Sequence, residues 1–319
     1  MNKYFPHISC AIILIGVVFL GAMALVGFIS QQRAKRADAR APAIPVITFP
    51  GLEHPTQLAG GIDFYAVTAA DSSGRRLWVY LPKKRGRAKV PCVFIAPAGS
   101  SCFTGMSLSQ GDRAEHVPYV HAGYAVVAYD LDGPFDWESF NGSGASSTLM
   151  YAIYSFRAVE GGVVNGKAAI DFALANIPAI DGQRLYSAGH SSAGTVALLL
   201  AEKDPRIKAC VAYAPLFNIT EHTPDSMLSA CEIQMPYFRQ FTTDISPSTY
   251  LAQLTCPVFL FHADDDSIIG RDDVEPYVKK MRRYNPQVTY VTVPTGEHYD
   301  SMIDAGVPQA ITWLQQLPK

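Results

Sequence analysis

The stretch RLYSAGHSSAGTVALLLAE, residues 184–202, decides how this chain folds. Its first part is a short apolar run typical of a buried strand, and its last part is an apolar helix suited to packing under a sheet. Gly189 and Ala193 flank the turn between them, and their small side chains leave room for a tightly bent backbone. Such a turn forces Ser191 outward, so we predict that Ser191 is a nucleophile. The alternative is an ordinary serine N-cap between a strand and a helix.

The same turn predicts where developing negative charge would be stabilised. The first amides of the helix carry a partial positive charge and lie beside Ser191, so the backbone N–H of Ser192 is a candidate oxyanion donor. Ser192 is also a rival nucleophile, but it has His190 where such a turn requires a glycine. We therefore favour Ser191.

From Gly61 onward, short β-branched and aromatic runs alternate with longer amphipathic stretches. This pattern predicts one α/β domain, residues 61–319, in which helices wrap a mostly parallel sheet. Residues 71–74 join the first two strands into an antiparallel edge hairpin, whereas the later strands are continuously apolar, as strands buried on both faces must be. Gly161-Gly162 interrupts the helical region 150–177. Eight strands are predicted, at residues 62–69, 75–81, 91–96, 124–130, 184–189, 209–215, 257–263 and 287–293.

The loops after the last two predicted strands supply candidate partners for Ser191. A serine hydroxyl is a weak nucleophile at neutral pH, so an imidazole must accept its proton and a carboxylate must orient that imidazole. Asp266 follows the seventh strand and His298 follows the eighth, which places both at the same sheet edge as Ser191. Asp264 and Asp265 are alternatives to Asp266 as the acid.

The turn GHSSAG at 189–194, the acid loop FHADDDSII at 261–269 and the histidine loop GEHY at 296–299 resemble motifs of the α/β-hydrolase superfamily. The resemblance is to its esterase, dienelactone hydrolase and prolyl-oligopeptidase-like branch, and it covers residues 61–319. It implies the α/β-hydrolase fold and a serine hydrolase, with Ser191 as nucleophile, Asp266 as acid and His298 as base in the chain order of that fold.

The sequence departs from the superfamily at three places. Ala193 and Ala263 stand where glycine is usual, and alanine is small enough at both positions. Residues 97–99, Pro-Ala-Gly, replace the His-Gly of the oxyanion loop. The second oxyanion donor is therefore Gly99, Ser100 or Ser101, and the sequence leaves these three open.

The sequence favours hydrolysis of small or medium carboxylic esters through an acyl-enzyme on Ser191. Phe103 and Trp137 follow predicted strands and are candidate substrate-binding residues, with local packing as the alternative. Residues 219–256 interrupt the alternation of strands and helices, which predicts either a small cap over the site or a long surface loop. Serine peptidase activity and a catalytically silent binding protein are the alternative functions.

Residues 8–29, ISCAIILIGVVFLGAMALVGFI, are an uncharged run of 22 residues, long enough to cross a hydrocarbon core as a helix. We predict an uncleaved membrane anchor over residues 1–29 and a Pro-rich linker at 30–60. A cleaved signal peptide is the alternative. Basic residues are more frequent after the span than before it, which favours a cytoplasmic catalytic domain, whereas a signal peptide would mean export.

Charge and cysteine content exclude other classes of protein. The 26 basic and 28 acidic residues nearly cancel to a net charge of -2, which gives no basic surface for nucleic acid. No histidine pair has helical metal-ligand spacing and no glycine-rich phosphate loop follows a strand, so neither metal nor cofactor is predicted. We expect Cys92, Cys210 and Cys256 to be reduced core thiols. Cys102 and Cys231 fall in predicted loops near the site, where a disulfide between them is one option.

Overall fold

A computed structural model describes residues 43–71, 73–83, 88–137 and 146–318 of the chain. The predicted membrane segment, residues 8–29, lies outside these ranges, as does the linker before residue 43. Across the described ranges, no helix combines the length and the apolarity that crossing a bilayer requires.

The described residues form one sheet of nine strands with the order β1-β2-β3-β5-β4-β6-β7-β8-β9. The strands from β4 to β9 pair in parallel, whereas β1, β2 and β3 pair antiparallel at one side and β3 joins the rest antiparallel to β5. The strands are β1 Thr56–Leu58, β2 Ile62–Thr68, β3 Arg76–Pro82, β4 Val90–Ile95, β5 Ala125–Tyr129, β6 Ile180–His190, β7 Ile207–Tyr213, β8 Val258–Ala263 and β9 Val288–Val293.

All eight predicted strands are present, but the prediction of eight was one too few. The missing strand, β1, lies inside the predicted linker and pairs with β2. It has three residues and follows Pro55, so it is too short to show the alternation that identifies a strand. Other linker residues also contact the domain, since the Phe49 ring packs edge-on against Phe172 at 5.8 Å. Residues 56–58 of the predicted linker therefore belong to the sheet.

Helices cover both faces of the sheet, so its central strands are buried on both sides. They are α1 Arg113–His121, α2 Ser147–Ala158, α3 Val163–Asn176, α4 Ser192–Lys203, α5 Ile219–His222, α6 Asp225–Gln234, α7 Phe238–Asp244, α8 Arg271–Met281 and α9 Val307–Gln316. Buried residues of α2, α3, α4 and α8 form the core on one face. Buried residues of α1 and α9 form the core on the other face.

Residues 219–256 fold into helices α5 to α7 and two 3-10 turns, Pro247–Thr249 and Leu251–Gln253. The insertion packs on the body of the domain through Phe238, whose ring meets that of Phe103 at 5.3 Å. The Tyr154 hydroxyl of α2 also donates a hydrogen bond to the carbonyl oxygen of Gln234 at 3.2 Å. The segment is therefore a packed helical unit and not an irregular surface loop.

The five cysteines in the described part of the chain are free thiols. Cys102 and Cys231 are among them, so the disulfide that the sequence left open is not formed. Cys231 lies in α6 and is fully buried.

Candidate active site

Ser191 occupies the turn between β6, which ends at His190, and α4, which begins at Ser192. Its backbone has φ +54° and ψ −123°, a conformation that costs energy in any residue other than glycine. Hydrogen bonds hold it there on both sides. The Ser191 N–H donates to the carbonyl oxygen of Tyr213 at 2.8 Å, and the Ser191 carbonyl oxygen accepts from the Thr195 N–H at 3.1 Å.

The turn is closed by a close backbone approach at Gly189. A Cβ atom placed there would lie 2.3 Å from the carbonyl oxygen of Ala193, which is part of rigid backbone. Ala193 itself is fully buried and its side chain is accommodated, so the departure from glycine at this position is compatible with the turn. The strain at Ser191 is thus maintained by packing between the strand and the helix.

His298 and Asp266 meet as the sequence predicted, through a 2.8 Å hydrogen bond between His298 Nδ1 and Asp266 Oδ2. The backbone N–H groups of Ile268 and Ile269 both donate to Asp266 Oδ1 at 2.9 Å. Burial by itself raises the pKa of Asp266, but the bonds from His298, Ile269 and Ile268 outweigh burial and bring the pKa below its ordinary value. The ionised carboxylate can only accept, so His298 carries its proton on Nδ1, and Nε2 is free to accept another.

His190 links the histidine loop to the turn that carries Ser191. Its ring lies 4.5 Å from the His298 ring, centroid to centroid, and its Nε2 is 2.8 Å from the His298 carbonyl oxygen. Burial, together with repulsion from His298, lowers the pKa of His190 to about 4, so at neutral pH the uncharged ring donates this bond through Nε2–H. His190 is therefore a buried, hydrogen-bonded residue, and its bond to the His298 carbonyl connects the histidine loop to the turn that carries Ser191.

His262 binds the backbone of the acid loop through a side-chain hydrogen bond. The side chain is buried, and its Nε2 lies 2.8 Å from the carbonyl oxygen of Ile269 and 3.7 Å from Asp266 Oδ2. Since the carbonyl can only accept, Nε2 donates to it. This bond fixes the segment that donates two N–H groups to Asp266.

The predicted oxyanion loop contacts the first turn of α4. The Ser100 N–H donates to the Ser192 hydroxyl oxygen at 3.1 Å, and the Ser100 hydroxyl oxygen accepts from the Cys102 N–H at 3.2 Å. Gly99 has φ +96°, which only glycine adopts readily. The Ser192 N–H belongs to the first turn of α4, where helix geometry supplies no carbonyl partner. The structure therefore brings Gly99, Ser100 and Ser192 together.

The three consecutive aspartates point to three different partners. Asp264 lies 3.3 Å from Arg271 in an exposed ion pair. Asp265 accepts hydrogen bonds from the backbone N–H groups of Gly296 and Glu297. Asp266 is the one bonded to His298. The contact between Asp265 and the histidine loop was not predicted, because the motifs of the two loops indicate a bond only between the candidate acid and the candidate base.

Phe103 is 4 % exposed and belongs to the hydrophobic core. Its ring packs edge-on against Trp137 at 6.2 Å and against Phe238 at 5.3 Å. Phe103 therefore packs locally, and Phe238 of α7 covers part of its side chain. Trp137 is only partly buried and packs against Phe135 at 4.8 Å.

Within the described ranges, no group of three or more His, Cys, Asp or Glu side chains is arranged to hold a metal ion. The site itself consists of Ser191, His298 and Asp266 and the backbone amides around them.

Comparisons with known proteins place the site in a wider context. The family model of the prolyl oligopeptidase family matches residues 115–317, a range that contains Ser191, Asp266 and His298. The α/β-hydrolase domain-containing protein WAV2 of Arabidopsis thaliana is 24% identical over 197 residues, which is 57% of this chain and 59% of that protein. The match thus spans less than two thirds of this curated relative.

Solved structures with the same fold include esterases and a peptidase. Acetyl xylan esterase 1 from Thermoanaerobacterium sp. JW/SL YS485 has a TM-score of 0.59 and 17% identity, with 91% of this chain and 94% of that chain covered. The S-formylglutathione hydrolase from Agrobacterium tumefaciens has a TM-score of 0.59 and 16% identity, with 84% of this chain and 100% of that chain covered. The acylaminoacyl peptidase from Pyrococcus horikoshii has a TM-score of 0.55 and 13% identity, with 85% of this chain and 40% of that chain covered. The predicted α/β-hydrolase fold is confirmed.

Proposed function

This chain belongs to the prolyl oligopeptidase family, and on that premise we propose that it is a serine hydrolase that cleaves carboxylic esters through an acyl-enzyme on Ser191. One observation carries the proposal. A serine held in a strained turn lies next to His190, which contacts a histidine whose Nδ1 is bonded to a buried carboxylate. This is the set of groups that activates a hydroxyl for attack on an acyl carbon.

In acylation, the Ser191 hydroxyl attacks the ester carbonyl carbon while His298 Nε2 accepts its proton. The imidazolium that forms is stabilised by Asp266, which stays ionised and keeps the ring in place. His298 then returns the proton to the leaving alkoxide, so the alcohol departs neutral and the acyl group remains on Ser191.

Deacylation repeats these steps with water. His298 Nε2 accepts a proton from water, the hydroxide attacks the acyl carbon, and the proton passes to the Ser191 oxygen as the carboxylic acid leaves. Each proton that His298 accepts is given back, so the enzyme returns to its starting state.

The negative oxygen of each tetrahedral intermediate requires preorganised donors. We assign the first to the Ser192 N–H and the second to the loop of Gly99 and Ser100. The bond from the Ser100 N–H to the Ser192 hydroxyl supports this assignment, because it holds that loop against the start of α4.

We assign substrate contact to Trp137, and a covering role to the helices of residues 219–256. Support for the cap comes from Phe238 of α7, which is buried against Phe103 in the loop after β4. The size of the acyl group that is accepted would then depend on this insertion.

Peptide hydrolysis is the second candidate, and the family match favours it directly. The acylaminoacyl peptidase of Pyrococcus horikoshii shares the fold over 85% of this chain, although the matched part is 40% of that peptidase. In comparison, the acetyl xylan esterase is matched over 94% of its length, which is why we rank ester hydrolysis first.

The test is to incubate the purified full chain with p-nitrophenyl esters of graded acyl length and with peptide p-nitroanilides, beside Ser191→Ala. We expect ester turnover in the wild type and its loss in the variant. Equal turnover by both proteins would refute Ser191 as the nucleophile. Cleavage of anilides alone would establish the peptidase, and no turnover of either substrate with no labelling by a fluorophosphonate would indicate a silent binding protein.

We further propose that residues 8–29 anchor the chain in a membrane. Support comes from the sequence, in which these 22 residues carry no charge. Extraction of cell membranes at high pH tests this. The full chain should stay in the pellet and a chain without residues 8–29 should be released, whereas release of both would contradict the anchor.

A further inference from the structure

Asp265, the residue before the candidate acid, reaches across to the loop that carries His298. Its Oδ2 accepts a hydrogen bond from the Gly296 N–H at 3.1 Å, and its Oδ1 accepts one from the Glu297 N–H at 2.8 Å. The carboxylate therefore binds the two backbone amides that immediately precede His298. A carboxylate with two N–H donors is fixed in both position and orientation.

Glu297, the residue before the candidate base, makes the opposite connection. Its Oε2 accepts a hydrogen bond from the Ser267 N–H at 3.1 Å, and Ser267 immediately follows Asp266. The two loops are thus joined by bonds in both directions. Asp265 binds the amides of Gly296 and Glu297, and the Glu297 side chain binds the amide of Ser267. We call these three bonds the cross-loop bridge. The bond between Asp266 and His298 lies within this frame.

The backbone of the histidine loop requires such support. Gly296 has φ +121° and Glu297 has φ +53°, so a residue with a side chain is held in the left-handed region directly before His298. This conformation is unfavourable in an isolated chain and persists where surrounding bonds impose it. The Ser301 hydroxyl adds one such bond by donating to the Glu297 carbonyl oxygen at 2.6 Å. The direction in which His298 leaves the backbone is set by these residues.

We propose that Asp265 and Glu297 are positioning residues that hold His298 in line with Asp266 and Ser191. The inference rests on the proposed function, because it assigns to both residues a role in the reaction of Ser191. Proton transfer in such a site is sensitive to displacements of about 1 Å, which can lower the rate on the order of 100-fold. Asp265 and Glu297 are both exposed, so the bridge contributes more to geometry than to the stability of the core.

The isosteric change Asp265→Asn tests the role of Asp265. The amide keeps one acceptor oxygen, but its NH₂ group would face a backbone N–H that also donates, so one of the two bonds is lost. We expect kcat on p-nitrophenyl esters to fall on the order of 10- to 100-fold with KM changed by less than about threefold. Glu297→Gln removes the opposite half of the bridge and should have the same direction of effect. It replaces Asp265→Asn if that variant is unfolded at the assay temperature.

Asp264→Asn is the matched control, because it neutralises the adjacent carboxylate, whose partner is the exposed Arg271. Its kcat and KM should remain those of the wild type. A second measurement, which does not depend on turnover, is the proton NMR resonance of His298 Nδ1–H. The resonance is assigned by its absence from the spectrum of His298→Gln. We expect it to shift or broaden in Asp265→Asn and to stay unchanged in Asp264→Asn.

The two measurements separate the positioning role from the reaction. If the wild type cleaves no ester or anilide but the resonance responds to Asp265→Asn, the proposed function fails and the positioning role stands. If Asp265→Asn and Glu297→Gln match the wild type in both kcat and the resonance, the positioning role is refuted whatever the reaction.

Discussion

A single carboxylate oxygen decides the tautomer of His298. Asp266 Oδ1 is occupied by the Ile268 and Ile269 N–H groups, and Oδ2 faces His298 Nδ1. The two oxygens are therefore not interchangeable. One holds the loop, and the other holds the proton of His298 on Nδ1.

This division predicts a specific effect of Asp266→Asn. In the variant, the Ile268 and Ile269 N–H groups would still donate to the side-chain oxygen of Asn. The NH₂ group of Asn would then face His298 Nδ1 and favour the tautomer that is protonated on Nε2. That tautomer cannot accept the Ser191 proton, and kcat should fall on the order of 10⁴-fold. Steady-state assays with a p-nitrophenyl ester measure the loss. If Asp264→Asn lowered kcat as much, the assignment of Asp266 as the acid would be wrong.

Glu202 is a buried carboxyl that the proposed reaction does not use. It lies in the last turn of α4, is 6 % exposed, and neither of its side-chain oxygens has a hydrogen-bond partner in the described part of the protein. It lines a cavity of about 420 Å³ together with Lys203 and Cys256. Burial raises the pKa of Glu202 well above 4.5, and Lys203 opposes the shift only in part.

The raised pKa predicts that Glu202 makes stability fall with rising pH. Above its unfolded-state pKa the unfolded chain releases the proton that the folded protein retains, so the free energy of unfolding declines until the folded pKa is passed. Glu202→Gln removes this pH dependence. The free energy of unfolding of the variant should exceed that of the wild type by about 1–3 kcal/mol at about pH 8, and the difference should vanish near pH 4. Urea unfolding at both pH values measures it. A gain that does not grow with pH, or an equal gain in the exposed control Glu53→Gln, would contradict this account.

At the scale of elements, the junction of β6 and α4 is tightly constrained. The Ser187 hydroxyl of β6 donates to the Ala197 carbonyl oxygen of α4 at 2.9 Å, and at Gly189 the two backbones leave no room for a Cβ atom. This closeness forces Ser191 into its strained conformation. Packing between β6 and α4, and not the intrinsic backbone preference of serine, therefore determines the conformation of the candidate nucleophile.

Gly189→Ala should disrupt this junction. The new methyl group would meet the Ala193 carbonyl at 2.3 Å, and neither backbone can yield without separating the strand from the helix. We expect a loss of about 2–4 kcal/mol in the free energy of unfolding and a loss of ester turnover. Gly182→Ala is the control in the same strand, since its methyl group would meet only the flexible Leu174 side chain at 3.3 Å. Similar stability and activity in the two variants would mean that the close approach is not required.

The elements that sequence could predict are those with a local pattern. Strands β4 to β8 contain buried apolar runs, and the turn at Ser191 needs small residues at fixed positions, so both can be predicted from the sequence. Strand β1 has three residues and no pattern, and its pairing depends on β2. The link from Ser100 to Ser192 joins residues that are 92 positions apart, and the contacts of Asp265 depend on the pairing of β8 with β9. Such contacts arise from topology, which no single motif encodes.

At the scale of the whole molecule, three of the five described thiols are buried and two are half-buried. Cys92 and Cys210 are in central strands and are fully buried, and burial raises the pKa of both thiols. Burial also raises the pKa of Cys102 to about 12 and that of Cys231 and Cys256 to about 11. The thiolate is the reactive form, so all five should be inert in the folded protein.

These thiols can show whether the insertion opens separately from the sheet. Cys231 lies in α6 of the insertion, whereas Cys92 and Cys210 lie in paired strands, so partial unfolding of the insertion exposes Cys231 and leaves these two buried. In a Cys10→Ser chain at rising urea, we expect a thiol reagent to modify Cys231 before Cys92 and Cys210, as followed by peptide mass spectrometry. Fully unfolded protein, in which all thiols should react alike, is the control. Simultaneous modification of the three at every urea concentration would mean that insertion and sheet unfold as one unit, and the insertion could not then move as an independent cap over Ser191.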